Sequence, residues 1–155
     1  MTSIYPLYRK LQRLPVGGNF VFSKLLGAIV PYFSTVRPRF QIMEPGRAVL
    51  TIKKRRAVHN HIKTVHVIAI CNGLEAAMGM AVEASIPDHL RWLPKGMTVE
   101  YPAKANSNIR AEALLDVDDF KPNSNMDVNV TAYRDDGTVV VQGVITIWVT
   151  EKPRA

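Results

Sequence analysis

From Val65 to Ala84 the chain is apolar on nearly every side of a helix, interrupted only by His66, Asn72, Glu75 and Glu83. A helix without a polar face belongs in an interior, covered all round by other elements. Its roughly 20 residues reach about 30 Å at 1.5 Å per residue. Thr64 is placed to cap its start. Pro87 stops it and pushes Ile86 out of helical geometry. Gly73 and Gly79 each cost roughly 1 kcal/mol against alanine inside a helix, so they predict the close approach of another backbone. The segment is long enough to reach across a bilayer core. Its carboxylates, amide and imidazole would be costly there, and its alanines and glycines are weakly apolar. The sequence therefore predicts a central helix wrapped by a sheet.

Upstream, Leu7, Leu11 and Leu14 recur at helical spacing over residues 4–14, and Pro15, Gly17 and Gly18 break that helix. Asn19 is a candidate cap for a second helix, with Val21, Leu25, Ala28 or Ile29, and Tyr32 on one face and Pro31 near its end. Such helices could lie on a membrane with Arg9, Lys10, Arg13 and Lys24 facing lipid phosphates. The expectation is instead that the apolar stripe packs on the domain or on a neighbouring subunit, without stable membrane insertion.

From Arg37 the period changes to two. Phe40–Ile42 and Ala48–Ile52 read as strands joined at the turn Glu44-Pro45-Gly46. The run Lys53-Lys54-Arg55-Arg56 closes the second strand. Alternate residues of an extended segment face opposite ways, so its charges should split between two surfaces. After the long helix, Met97, Val99, Tyr101 and Ala103 alternate with polar residues, and Pro102 implies an edge or bulge. Ile109, Ala111, Ala113, Leu115 and Val117 line the next strand, and Val128, Val130 and Ala132 the one after. Asp136-Gly137 signals a hairpin. Val139, Val141, Ile145, Ile147 and Val149 then form one apolar face, with Gly143 as a candidate bulge.

The order of elements predicts an α+β fold: two N-terminal helices, two strands, the buried helix, then four strands in meander. One domain spans 1–155, with 1–36 as a helical extension. A lone sheet of about six strands has exposed edges, and pairing of edges in a homo-oligomer, dimer or tetramer, would cover them. The formal net charge of +7 favours anionic partners, although much of it is expected to be solvated surface. A single cysteine, Cys71, excludes an internal disulfide and fits a reducing compartment. No secretory leader is legible, because Arg9, Lys10 and Arg13 interrupt the early apolar residues. The cytoplasm is the expected location.

The layout resembles the hotdog fold, in which a sheet curls round one long helix. The motif Asn60, Thr64-Val65-His66, then Glu75 within Gly73-Leu74-Glu75-Ala76-Ala77 resembles that of acyl-CoA thioesterases of the phenylacetic-acid-degradation type. Tyr101–Ala105 and Ile109–Ala113 are similar to that family's coenzyme-side strands. The resemblance runs over about residues 37–150. It implies that Glu75 acts as base or nucleophile on a thioester. It also implies that helix-entrance amides, Val67 among them, hold the oxyanion. Two glycines follow the histidine in the family; here they are Val67 and Ile68, and a valine side chain could crowd the substrate.

Thioester hydrolysis needs a carboxylate that attacks carbonyl carbon or activates water, and Glu75 is the candidate. Glu83 is expected to pair at an edge. His66 is a candidate donor to substrate or organiser of the entrance loop. Asn60 is expected to fix that loop through side-chain bonds to backbone. Lys104 and Arg110 are candidates for coenzyme A phosphates, against a solvated-surface role. His59, His61 and His66 lack the partners a metal site needs, so no metal is expected. No cofactor beyond coenzyme A as part of the substrate, and no nucleic acid, is implied. The sequence thus points to an acyl-CoA thioesterase, with a non-catalytic acyl-binding hotdog module as the alternative.

Overall fold

The computed structural model describes residues 4–153. Helices α1 (Tyr5–Gln12) and α2 (Gly18–Ile29) lead through a 3-10 turn, Pro31–Thr35, into strands β1 (Arg39–Glu44) and β2 (Arg47–Ile52). Helix α3 (Val67–Ser85) follows. Strands β3 (Leu90–Glu100), β4 (Ile109–Leu114), β5 (Ser124–Tyr133) and β6 (Val139–Glu151) complete the chain. All six strands form one antiparallel sheet in the order β1-β2-β4-β5-β6-β3. This is an α+β hotdog arrangement, a sheet round one long helix.

The alternation in each strand puts small and branched side chains on the face toward α3. Leu50 and Ile52 on β2, Ile109, Ala111 and Ala113 on β4, and Ile145 and Ile147 on β6 are all buried against it. Alanines on both surfaces, including Ala76 and Ala77 of the helix, let α3 sit close to the sheet. Full burial of a side chain such as Leu74 contributes roughly 1.5–3 kcal/mol, and Leu74→Ala would cost about 2–5 kcal/mol. Gly73 has no side chain because a methyl there would collide with Ile52, and Gly79 faces the Trp92 ring. The neighbours of these glycines are side chains, not the backbone that their helix cost predicts. α3 passes a length-and-apolarity test for a bilayer span, but its residues form the centre of this core.

Several local expectations are corrected. The four late strands are not one meander: β4, β5 and β6 are, whereas β3 lies beyond β6 at the far edge. Local alternation carries no information on such long-range pairing. β3 also begins at Leu90, earlier than its alternation suggests, because a register shift between Pro94 and Gly96 interrupts the period. It ends before Pro102. The irregularity of β6 lies opposite Ala132 and Tyr133, not at Gly143. Gly143 is required where β3 crosses closely, since a Cβ there would collide with the Thr98 carbonyl. The basic run 53–56 lies beyond β2: Lys54 Nζ donates to the Asn106 carbonyl and Arg55 Nη2 to that of Thr35.

The N-terminal helices pack on β1 through a ladder of rings. Tyr8 and Phe22 meet edge to face at 4.9 Å, and Phe22 and Phe40 at 5.5 Å. Ser23 Oγ accepts from the Phe40 amide at 2.9 Å and donates to the Asn19 carbonyl. Gly17, at φ 85°, caps α2 rather than Asn19, whose amide reaches the Gln41 carbonyl. The buried side of α2 is Phe22, Ser23 and Leu26. Val21, Leu25, Ile29 and Tyr32, expected to pack on the domain or on a neighbouring subunit, are exposed on the single chain. α2 is apolar almost all round, so periodicity alone does not select its inner face.

Candidate functional site at the entrance to the central helix

The loop before α3 is held by Asn60. Its Oδ1 accepts from the Ile62 and Thr64 amides at 3.2 and 3.1 Å, and its Nδ2 donates to Thr64 Oγ1 at 2.8 Å. Lys63, at φ 61°, sits in the left-handed region at the tip of this turn. The Val65 amide then donates to the Ala105 carbonyl and the His66 amide to that of Val58, which fixes where the helix begins. Thr64 is thereby occupied and does not cap α3. His66 does: its Nδ1 accepts from the Ile68 amide at 3.1 Å. An imidazole that accepts at Nδ1 carries its proton on Nε2, leaving a donor beyond the cap.

The first turn of α3 accounts for its amides one by one. Ala69 and Ile70 both donate to the His66 carbonyl at 2.9 and 3.2 Å, and Ile68 to the His66 ring. Among the described residues the Val67 amide has no acceptor. It lies at the positive end of the helix, where anionic charge is favoured.

Beside this turn lies a cavity of about 370 Å³, walled by Tyr32, Thr35, His59, His66, Ile68 and Asn72 among others. Asn72 is 6% exposed; its Nδ2 donates to Thr35 Oγ1 at 3.1 Å and to the Tyr32 carbonyl at 3.3 Å. Its Oδ1 is left without a partner, as is the buried His59 Nε2. Buried polar atoms in native proteins are nearly always satisfied, so two open ones beside one cavity mark a place suited to a polar ligand or water. Sequence reading gave these residues no site role. The available signal was Asn72 itself, an amide within an apolar helix.

Glu75 stands one turn further along α3 from Cys71 and Asn72 and is half-buried. Among the described residues its carboxylate makes no hydrogen bond or ion pair. Glu83, by contrast, accepts from Trp92 Nε1 at 2.9 Å. Burial raises the Cys71 thiol above its ordinary pKa. Glu75, Asn60 and Val67 do not line the cavity; His66 does. Lys104 is exposed next to Ala105, and therefore beside the α3 entrance. Arg110 is elsewhere, across the sheet from α3: it pairs with Glu112 at 2.8 Å and lies 4.1 Å over the Tyr133 ring. Among the described residues no group of three His, Cys, Asp or Glu could hold a metal ion.

Solved structures share this architecture. A thioesterase family protein from Silicibacter pomeroyi superposes with a TM-score of 0.70 at 19% identity, covering 84% of this chain and 96% of its own. Thioesterase HI1161 from Haemophilus influenzae gives 0.69 at 8% identity over 81% and 88%. A crystal structure described as genomics APC5556 is 41% identical with a TM-score of 0.84, covering 96% of this chain and 99% of that one. No curated protein matches the chain. The fold is thus one that this chain shares with solved thioesterases. Residues 18–149 match the family described as a domain of unknown function, DUF4442, and the chain belongs to that family.

Proposed function

We propose that this protein hydrolyses acyl-CoA thioesters, with Glu75 as the base at the mouth of a site centred on the entrance of α3. The observation that carries the reading is the state of Glu75: a half-buried carboxylate on an apolar helix, with no partner among the described residues. A half-buried carboxylate that no neighbour engages is available to act on a bound substrate, and a reactive role accounts for its being left open. The Val67 amide supplies the complementary group. In the step, Glu75 takes a proton from water as the oxygen bonds to the thioester carbon. The carbonyl oxygen gathers negative charge near the Val67 N–H and the helix dipole. Collapse expels the coenzyme A thiolate, which takes back from Glu75 the proton drawn from water, and leaves a carboxylic acid and the free carboxylate of Glu75.

Glu75 lies outside the wall of the cavity within one chain. The reading therefore includes a homo-oligomer, in which a second protomer supplies the missing wall over the stripe of Ile68, Cys71 and Glu75. Lys104, beside the entrance, is the better placed of the two basic candidates for coenzyme phosphates. A second reading, an acyl-binding module without turnover, is favoured by the Val67 side chain standing where the resembling enzymes have glycine.

Release of free thiol from a panel of acyl-CoAs, by the wild-type protein and by Glu75→Gln, tests the proposal. Turnover by the wild type that the variant lacks is the expected result. Binding of acyl-CoA with no thiol release by the wild type would sink hydrolysis and leave the binding module. Light scattering addresses the assembly, with a dimer or larger expected at micromolar concentration.

A further inference from the structure

The charge of this protein is unevenly placed. Residues 1–43 hold Arg9, Lys10, Arg13, Lys24, Arg37 and Arg39 and no Asp or Glu, so six of the seven formal net charges fall there. The hotdog body is close to neutral. The same segment carries the exposed apolar face of α2: Phe20 is 59% exposed, Ile29 49%, Leu25 40% and Val21 37%. Val16, in the connection before it, is 88% exposed. Scattered exposed apolar residues are ordinary, but a contiguous helical face of them marks an interaction surface.

The cations and the face adjoin. A groove of about 390 Å³ between α2, the 3-10 turn and the start of β1 is lined by Phe20, Ser23, Lys24, Ser34, Arg37 and Arg39. Among the described residues these three cations make no ion pair, and Lys24 lies 5.7 Å over the Phe20 ring. Arg37 is held at φ 52°, a left-handed backbone that few residues other than glycine adopt. Cations bordering an apolar helical face form the pattern that lies in a bilayer interface, apolar side in the acyl boundary and cations on phosphate.

We propose that this N-terminal unit docks reversibly on an anionic phospholipid surface. Phe20, Val21, Leu25 and Ile29 enter the headgroup–acyl boundary, and Lys24, Arg37 and Arg39 take lipid phosphates. A second copy of the chain fits this surface less well, because a two-fold contact through α2 brings two cationic units together with no carboxylate in residues 1–43 of either to offset them. The inference is independent of the thioesterase reading, since none of these residues belongs to that site.

The test is flotation of the full chain with vesicles of phosphatidylcholine alone and of phosphatidylcholine mixed with phosphatidylserine. Binding to the mixed vesicles only, weakening with salt, is expected. The double variant Lys24→Gln, Arg39→Gln should bind more weakly by roughly fivefold per cation removed. Leu25→Glu should lose binding, with Phe20→Gln serving if that variant fails to fold. Turnover of soluble acyl-CoA should be the same in all of them. Absence of vesicle binding, equal binding to both lipids, or unchanged binding by the apolar-face variants would overturn the proposal. So would occupation of the groove by soluble glycerophosphoserine without any vesicle binding, which would make it a small-anion site. A change of oligomeric state in Leu25→Glu by light scattering would assign the face to a second copy instead.

Discussion

The two halves of α3 are made of similar residues and treated in opposite ways. The C-terminal half is sealed: Met78, Ala81 and Val82 are fully buried, and the Trp92 ring covers Gly79. Its polar groups are bonded, with the Trp92 indole on Glu83, and Ser85 Oγ donating to the Ala81 carbonyl and accepting from the Gly46 amide. The N-terminal half leaves Ile68 56% exposed, Cys71 and Glu75 half-open and the Asn72 Oδ1 unpaired. One helix thus carries two carboxylates eight residues apart, one absorbed into structure and one kept available. Within α3 the open polar groups, Asn72 Oδ1 and the Glu75 carboxylate, fall in one half, which indicates where packing was left open for something else.

The sharpest way to separate the halves is to damage each. Trp92→Ala removes the lid of the sealed half and orphans Glu83 from its indole, and should cost about 3 kcal/mol in urea unfolding. Thiol release per folded molecule should be preserved. Glu75→Gln should do the reverse, losing at least about 100-fold in turnover while the melting temperature holds or rises slightly. If Glu75→Gln melts as far below wild type as Trp92→Ala does, the two carboxylates play the same structural part and the contrast fails. Asn72→Ala, which strips the amide from Thr35 and Tyr32, should cost about 1–2 kcal/mol, read by the same unfolding curves. Val67→Gly should raise thiol release if the valine side chain crowds the substrate, in spite of a helix cost of roughly 1 kcal/mol. The smallest effect concerns Cys71. Burial raises its pKa, so less thiolate is present at neutral and mildly alkaline pH. Alkylation should run severalfold slower than for a free cysteine and should slow further wherever assembly covers the open half.

The central helix, the strands and the N-terminal pair of helices were legible because each has a period that the chain repeats over many residues. What escaped was set by partners distant in sequence. The place of β3 beyond β6 depends on residues some fifty positions on, and the inner face of α2 is chosen by Phe40, whose amide donates to Ser23 Oγ of α2, rather than by the helix's own pattern. The cap was assigned to Thr64 by general preference, but Asn60 engages that hydroxyl and leaves His66 to do the capping. Of the candidates named from a resembling motif, His66 lines the cavity and Glu75 does not. The rest of the wall was not legible, since Tyr32, Thr35, His59 and Asn72 come from three separate segments that only the fold brings together. Arg110 matched the motif by position, yet the strand's alternation turns it to the opposite face of the sheet, onto Glu112.

The edge position of β3 has a further consequence for how the chain acquires its structure. β3 follows α3 directly but finds its partner only in β6, the last of the six strands in sequence. During synthesis the most apolar segment of the protein therefore emerges well before the strands that complete its enclosure. Pairings of this kind slow folding, and the interval exposes greasy surface. Early helix formation on β1 and β2 alone would shelter one side of α3, so a ribosome-bound chain ending before Val139 should recruit a holding chaperone that a chain carrying β6 no longer needs.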